Sequence, residues 1–155
     1  MTLPDSDGDG KPEYVIYDGG NGSVQTFNKI KELIPQNEDV ELLVISHSDG
    51  DHLAAIPKIC ADYNVKTVLR TGFTRSTGAW TNADAAIKNE ATNHGCTDIS
   101  LSVYEYPRGA TFRIGDAFIQ FVAGWRAAPE SFEVGTNRND AESRNSISIV
   151  GKLIY

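Results

Sequence analysis

The stretch Val40-Glu41-Leu42-Leu43-Val44-Ile45 constrains this chain most, because it is apolar without alternation apart from Glu41 and rich in β-branched residues. A strand with one wet face alternates; a run like this belongs to a sheet covered on both faces, and such sheets are built from parallel strands joined by helices. The flanking residues supply those parts. Glu13 to Tyr17 reads as a strand stopped by Asp18-Gly19-Gly20. From Ser23, read as an N-cap, the apolar residues Val24, Phe27, Ile30, Leu33 and Ile34 recur at helical spacing until Pro35. A second helix is expected to carry Leu53, Ile56, Ile59, Cys60 and Tyr63, with Pro57 in its first turn, before a strand over Val65 to Leu69. The β-α-β-α-β order implies right-handed crossovers and a helix layer against the sheet.

The second half reads differently. A Gly/Thr-rich loop from Thr71 to Thr81 leads to a weak helix over Asn82 to His94, closed by Gly95. Ile99 to Val103 alternates like a half-buried strand, and Thr111 to Val122 reads as a hairpin turning at Gly115-Asp116. Ala127 to Arg144 is polar and unpatterned, a long loop, and Ser146 to Val150 opens a strand continuing to Tyr155. At 155 residues with 40% hydrophobic content, residues 1–155 fit a single domain with a buried core. No apolar run approaches the ~20 residues that cross a bilayer, and no secretion signal opens the sequence. Compartment and oligomeric state are not indicated. Twenty-one acidic against 14 basic residues give a net charge of -7, which argues against a surface that coats nucleic acid, although a metal centre in a cleft still attracts phosphates locally. Two cysteines make no disulfide framework, and Cys60 fits a core position.

After the buried strand, His47-Ser48-Asp49-Gly50-Asp51-His52 packs two imidazoles and two carboxylates into six residues of a polar loop, Ser46 to His52. All four are metal-ligand types. His47 and Asp49, two apart, project to one side of an extended segment, while adjacent Asp51 and His52 diverge, and Gly50 is expected to supply a tight backbone. Ligands of α/β sheets bind beyond the carboxyl ends of the strands, which is where this loop falls. The plainer alternative is a solvated polar loop with two surface histidines.

The loop resembles the signature of the metallo-β-lactamase fold superfamily, His-x-His-x-Asp-His, with Asp49 standing where the second His does. The His-x-Asp-x-Asp-His form is similar to the ComEC-like branch, the hydrolase domain associated with competence and DNA-uptake channels. Val15-Ile16-Tyr17-Asp18-Gly19-Gly20 is similar to that family's strand and turn before the first helix, and Arg144-Asn145-Ser146-Ile147-Ser148-Ile149-Val150 to the branch's Asn-Ser strand. The resemblance implies an α/β fold with αββα layers and makes His47 and Asp49 ligands of one metal position, Asp51 and His52 of another. It gives Asp51 a second, catalytic role in orienting water, and Asp18 the role of holding the loop by hydrogen bonds from behind. Zinc, as one or two ions, is the implied cofactor, and the harder Asp49 admits manganese. A bound cation lowers the pKa of water from ~15.7 to ~7 and polarises a phosphoryl or carbonyl group. The implied activity is metal-dependent hydrolysis of phosphodiesters such as single-stranded DNA or nucleotides. Lactone, thioester or β-lactam hydrolysis and a non-catalytic metal-binding module are the alternatives. The family's later metal ligands and its opening strand are not found, so the domain is expected to be incomplete at both ends and weakly active by itself.

Weaker signals remain. Asp5-x-Asp7-x-Asp9-Gly10, with Glu13 at the ninth position, matches the first half of a calcium loop but has Ile16 where the bidentate Glu belongs; an Asp/Gly-rich turn is the alternative. Trp80 and Trp125 are candidate groove residues or packing residues. Arg70, Arg75, Arg126 and Arg138 are candidate phosphate contacts only where the fold gathers them, and His94 is expected at the surface.

Overall fold

A computed structural model describes residues 1–5, 8–100, 109–124, 145 and 147–154. Asp7, the end of the expected strand at 101–103, Trp125, Arg126, the 127–144 loop with Arg138, and Arg144, Ser146 and Tyr155 lie outside the described residues.

The first half is the expected β/α alternation. Strands β1 (Thr2–Leu3), β2 (Glu13–Tyr17), β3 (Leu42–Ile45), β4 (Thr67–Arg70) and β5 (Thr97–Ser100) form one sheet in that spatial order. The β2–β3, β3–β4 and β4–β5 pairs are parallel, and β1 is antiparallel to β2. Helices α1 (Ser23–Leu33), α2 (Gly50–Leu53), α3 (Ile56–Asp62) and α4 (Gly78–Asn93) supply the crossovers. The hairpin β6 (Thr111–Ile114) and β7 (Ala117–Ala123) turns at residues 115–116 as expected, and β8 (Val150–Ile154) completes a second, antiparallel sheet in the order β6-β7-β8.

Two cores meet on opposite faces of β3, whose four residues are each 0% exposed. Leu43 and Ile45 pack with Phe27, Ile34, Leu53, Ile56, Ile59 and Ile87 of the helix layer. Leu42 and Val44 pack with Ile114, Ile119 and Phe121 from the second sheet and with Ile149, just before β8. The run without alternation is thus explained: each β3 side chain leaves water completely, a gain of roughly 1.5–3 kcal/mol apiece. The described residues therefore stack as helix, sheet, sheet, three successive layers of the expected α/β arrangement.

Several expectations are corrected. Two paired residues, Thr2 and Leu3, precede the opening turn, where no strand was expected. Gly22, not Ser23, caps α1. On that helix Val24 and Leu33 are 53% and 60% exposed, because at ~100° per residue they lie about 90° to either side of the Phe27-Ile30-Ile34 stripe. The second helix is broken in two. Pro57 has no N–H and its ring crowds the carbonyl four residues back, so α3 restarts at Ile56 while the Ala54 and Ala55 amides donate to the Gly20 and Gly19 carbonyls, each at 3.1 Å. Helix α4 begins four residues before Asn82, at Gly78, because the Thr77 hydroxyl accepts from the Trp80 amide at 3.4 Å. Trp80 is buried in the helix-side core and Cys60 lies there too, both as packing residues. The closing strand starts only at Val150; Ile147 and Ile149 are buried without being part of it.

Candidate metal centre

The site grows out of the end of β3. Parallel pairing with β2 brings Tyr17 level with Val44, so the Asp18-Gly19-Gly20 turn and the loop starting at Ser46 lie side by side. Asp18 holds the left-handed conformation (φ 62°), which Asp tolerates better than most residues, and its amide donates to the Val44 carbonyl at 2.8 Å. Gly19 is required by proximity: a Cβ there would stand 2.9 Å from Ile56 Cγ1 and 3.0 Å from the Ile56 backbone nitrogen.

This turn aims the Asp18 carboxylate at the loop. Oδ1 accepts from the Ser46 amide at 2.7 Å, and Oδ2 accepts from the Ser46 hydroxyl at 2.7 Å and from His52 Nδ1 at 2.8 Å. Ser46 Oγ has a single proton. With that proton given to Asp18, Oγ accepts from His47 Nδ1, 2.9 Å away. Both imidazoles are therefore anchored through Nδ1–H, and in their neutral form both carry the lone pair on Nε2. Burial, then the neighbouring His52, lowers the His47 pKa below the usual histidine range, which favours that neutral form.

The two rings lie 3.9 Å apart between centroids, tilted by 52°. His47 Nε2 is 4.0 Å from Asp49 Oδ2, and His52 Nε2 is 3.8 Å from Asp51 Oδ2. The structure thus brings together His47, Asp49, Asp51, His52 and Asp18. Zinc–ligand bonds are about 2.0–2.2 Å, and among the described residues no three such side chains already converge to hold an ion. What the residues do fit is the ligand chemistry: imidazoles pinned from behind with Nε2 unspent, each facing a carboxylate. Ser48 adds an orphaned polar atom, since its hydroxyl is fully buried and finds no hydrogen-bond partner among the described residues.

Gly50 corrects the sequence reading. It is the first residue of α2, so the polar loop ends in a helical turn, and an added Cβ would meet only Ala79 Cβ at an ordinary 3.5 Å. Sequence reasoning missed Ser46 as a hydrogen-bond relay and Tyr17, whose hydroxyl donates to the Ile149 carbonyl while the Ile149 amide donates to the Ser46 carbonyl at 3.0 Å. These bonds dock the segment before β8 across the site. The candidate arginines separate: Arg75 Nη1 is 3.1 Å from Asp49 Oδ1, whereas Arg70 is buried and engaged by Asp84 and Asp98. His94 is half exposed and pairs with the buried Glu90 at 2.8 Å, away from the candidate metal loop.

The N-terminal turn has its own explanation. Both Asp5 oxygens accept backbone amides, from Gly8 and Gly10 at 2.8 Å each, and Asp9 accepts from the Lys11 amide at 2.8 Å. Glu13 begins β2, and Asp7 is outside the described residues. Asp5 and Asp9 are thus engaged by backbone donors of the turn itself.

No protein-family profile matches this chain, and no curated protein sequence matches it. Among solved structures, a metallo-β-lactamase from Hirschia baltica is similar at a TM-score of 0.42 and 12% identity, over 90% of this chain and 49% of that one. The chain thus spans about half the length of that structure. No described helix is long and apolar enough to cross a membrane.

Proposed function

We propose that this chain carries a metal-dependent hydrolase site of phosphodiesterase or nuclease type, with His47, Asp49, Asp51 and His52 holding one or two divalent ions, zinc first and manganese as the alternative. The observation that supports it is the proton arrangement behind the imidazoles. Asp18 and Ser46 take up both Nδ1–H groups, and the Nε2 atoms are left to face carboxylates. A solvated loop with two surface histidines would need no such anchoring. A bound divalent ion supplies Lewis acidity and activates water at neutral pH. The chain's own residues hold and orient. Asp18 fixes His52, Ser46 fixes His47, and Asp51, with a side chain 60% exposed, would orient an incoming water. The phosphodiester substrate rests on the likeness of His47-Ser48-Asp49-Gly50-Asp51-His52 to the ComEC-like branch.

Turnover of bis(p-nitrophenyl) phosphate and single-stranded DNA, with zinc or manganese added, tests it against a lactone, a thioester and a β-lactam. Metal-dependent phosphodiester cleavage that is lost in His47→Ala is the expected result. Preferred turnover of the carbonyl substrates would overturn the phosphodiester assignment, and metal uptake without any turnover would make this a binding module.

A further inference from the structure

The loop 71–77 between β4 and α4 brings a guanidinium to the site. Arg75 Nη1 meets Asp49 Oδ1 at 3.1 Å, and the other oxygen of the same carboxylate, Oδ2, faces His47 Nε2 at 4.0 Å. One carboxylate's width therefore separates the guanidinium from the imidazole edge. Only Nη1 is spent on that pair; Nε and Nη2 have no protein partner among the described residues, and the side chain is 25% exposed. Arg70 makes the contrast. It lies one β4 residue before the same loop, and its Nε, Nη1 and Nη2 are all bonded to Asp98 and Asp84, which leaves it a structural ion pair.

We infer that Arg75 is the anion-recognition residue of this site, holding a non-bridging oxygen pair of a phosphodiester or phosphate beside the His47–Asp49 edge. The inference rests on the hydrolase reading and deepens it by locating the preference for a phosphoryl over a neutral carbonyl substrate. Electrostatics favour such a group beside the charge that a bound ion supplies. Without an ion, Asp18, Asp49 and Asp51 surround the imidazoles in a chain of net charge -7, a field that repels an anionic substrate. A planar guanidinium whose Nε and Nη2 have no protein partner among the described residues matches two phosphoryl oxygens along that edge, and its charge-assisted hydrogen bonds are among the stronger ones in proteins. A neutral lactone or thioester draws little from it.

Titration of inorganic phosphate by calorimetry, on zinc-loaded and on metal-free protein, tests this with Arg75→Gln and Arg75→Lys beside the unchanged chain, together with zinc uptake by each. The expected result is unchanged zinc stoichiometry in all three, phosphate binding weakened by about tenfold or more in Arg75→Gln, and partial recovery in Arg75→Lys. Phosphate binding that is equal in Arg75→Gln, or absent from the unchanged chain in both forms, overturns the inference. Loss of zinc in Arg75→Gln overturns it as well, because Arg75 would then be positioning Asp49 for the metal. Phosphate held through Arg75 without turnover of any substrate would sink the hydrolase reading alone.

Discussion

Asp18 carries more of the site than any other single side chain. Its two oxygens accept three hydrogen bonds, and its φ of 62° is a conformation most residues resist. Asp18→Ala is expected to lower unfolding free energy by about 2–4 kcal/mol in urea titrations, from the lost charge-assisted bonds and the unsatisfied Ser46 amide. Asp18→Asn tolerates the backbone but puts a donor where Ser46 and His52 both donate, so metal affinity is expected to fall about 10–100-fold. Stability and affinity both unchanged in the two variants would show the turn to be ornamental. At this scale the sequence was partly legible. His47, Asp49, Asp51 and His52 sit together in six residues, and Asp18 stands at a strand end beside glycines. Ser46 was assigned no role, and Arg75 stood undistinguished among four candidate phosphate contacts, because their contacts join residues 28 and 26 positions apart. A serine directly before a metal-type histidine was the one available signal.

Between elements, the site depends on how closely the Asp18-Gly19-Gly20 turn meets the start of α3. Gly19→Ala drives a methyl into Ile56 and is expected to cost about 1–3 kcal/mol. Gly50→Ala is the contrasting variant. Its position is helical and its Cβ meets open, ordinary contact, so thermal unfolding should show no loss and a gain of up to about 1 kcal/mol. Equal losses in both variants would contradict this account of the two glycines. The elements themselves were read well where patterning is strong: β2, α1, β3, β4 and the β6–β7 hairpin all follow from periodicity and turn residues. The errors came where local chemistry outweighs periodicity. Pro57 splits one apolar stripe into α2 and α3, and the Thr77 cap extends α4 toward the site.

Across the whole molecule, the candidate site lies where three things meet: the carboxyl end of the central parallel strand, the helix α2 that follows it, and the segment at 147–149 leading into the second sheet. The Tyr17 and Ser46 bonds to Ile149 tie that segment to the loop that carries the imidazoles. The parallel half was legible because β3 is buried on both faces; the docking of the second sheet was not, since Ile147 and Ile149 alternate like a strand yet are buried as an irregular crossing. The central claim is that His47, Asp49, Asp51 and His52 form a divalent metal site. Calorimetric titration with zinc and with manganese, backed by elemental analysis of the folded protein, measures it directly in the unchanged chain and in His52→Ala. One or two equivalents bound by the former, with a clear drop in the latter while its fold is retained, is the predicted result; equal uptake by both proteins would contradict it.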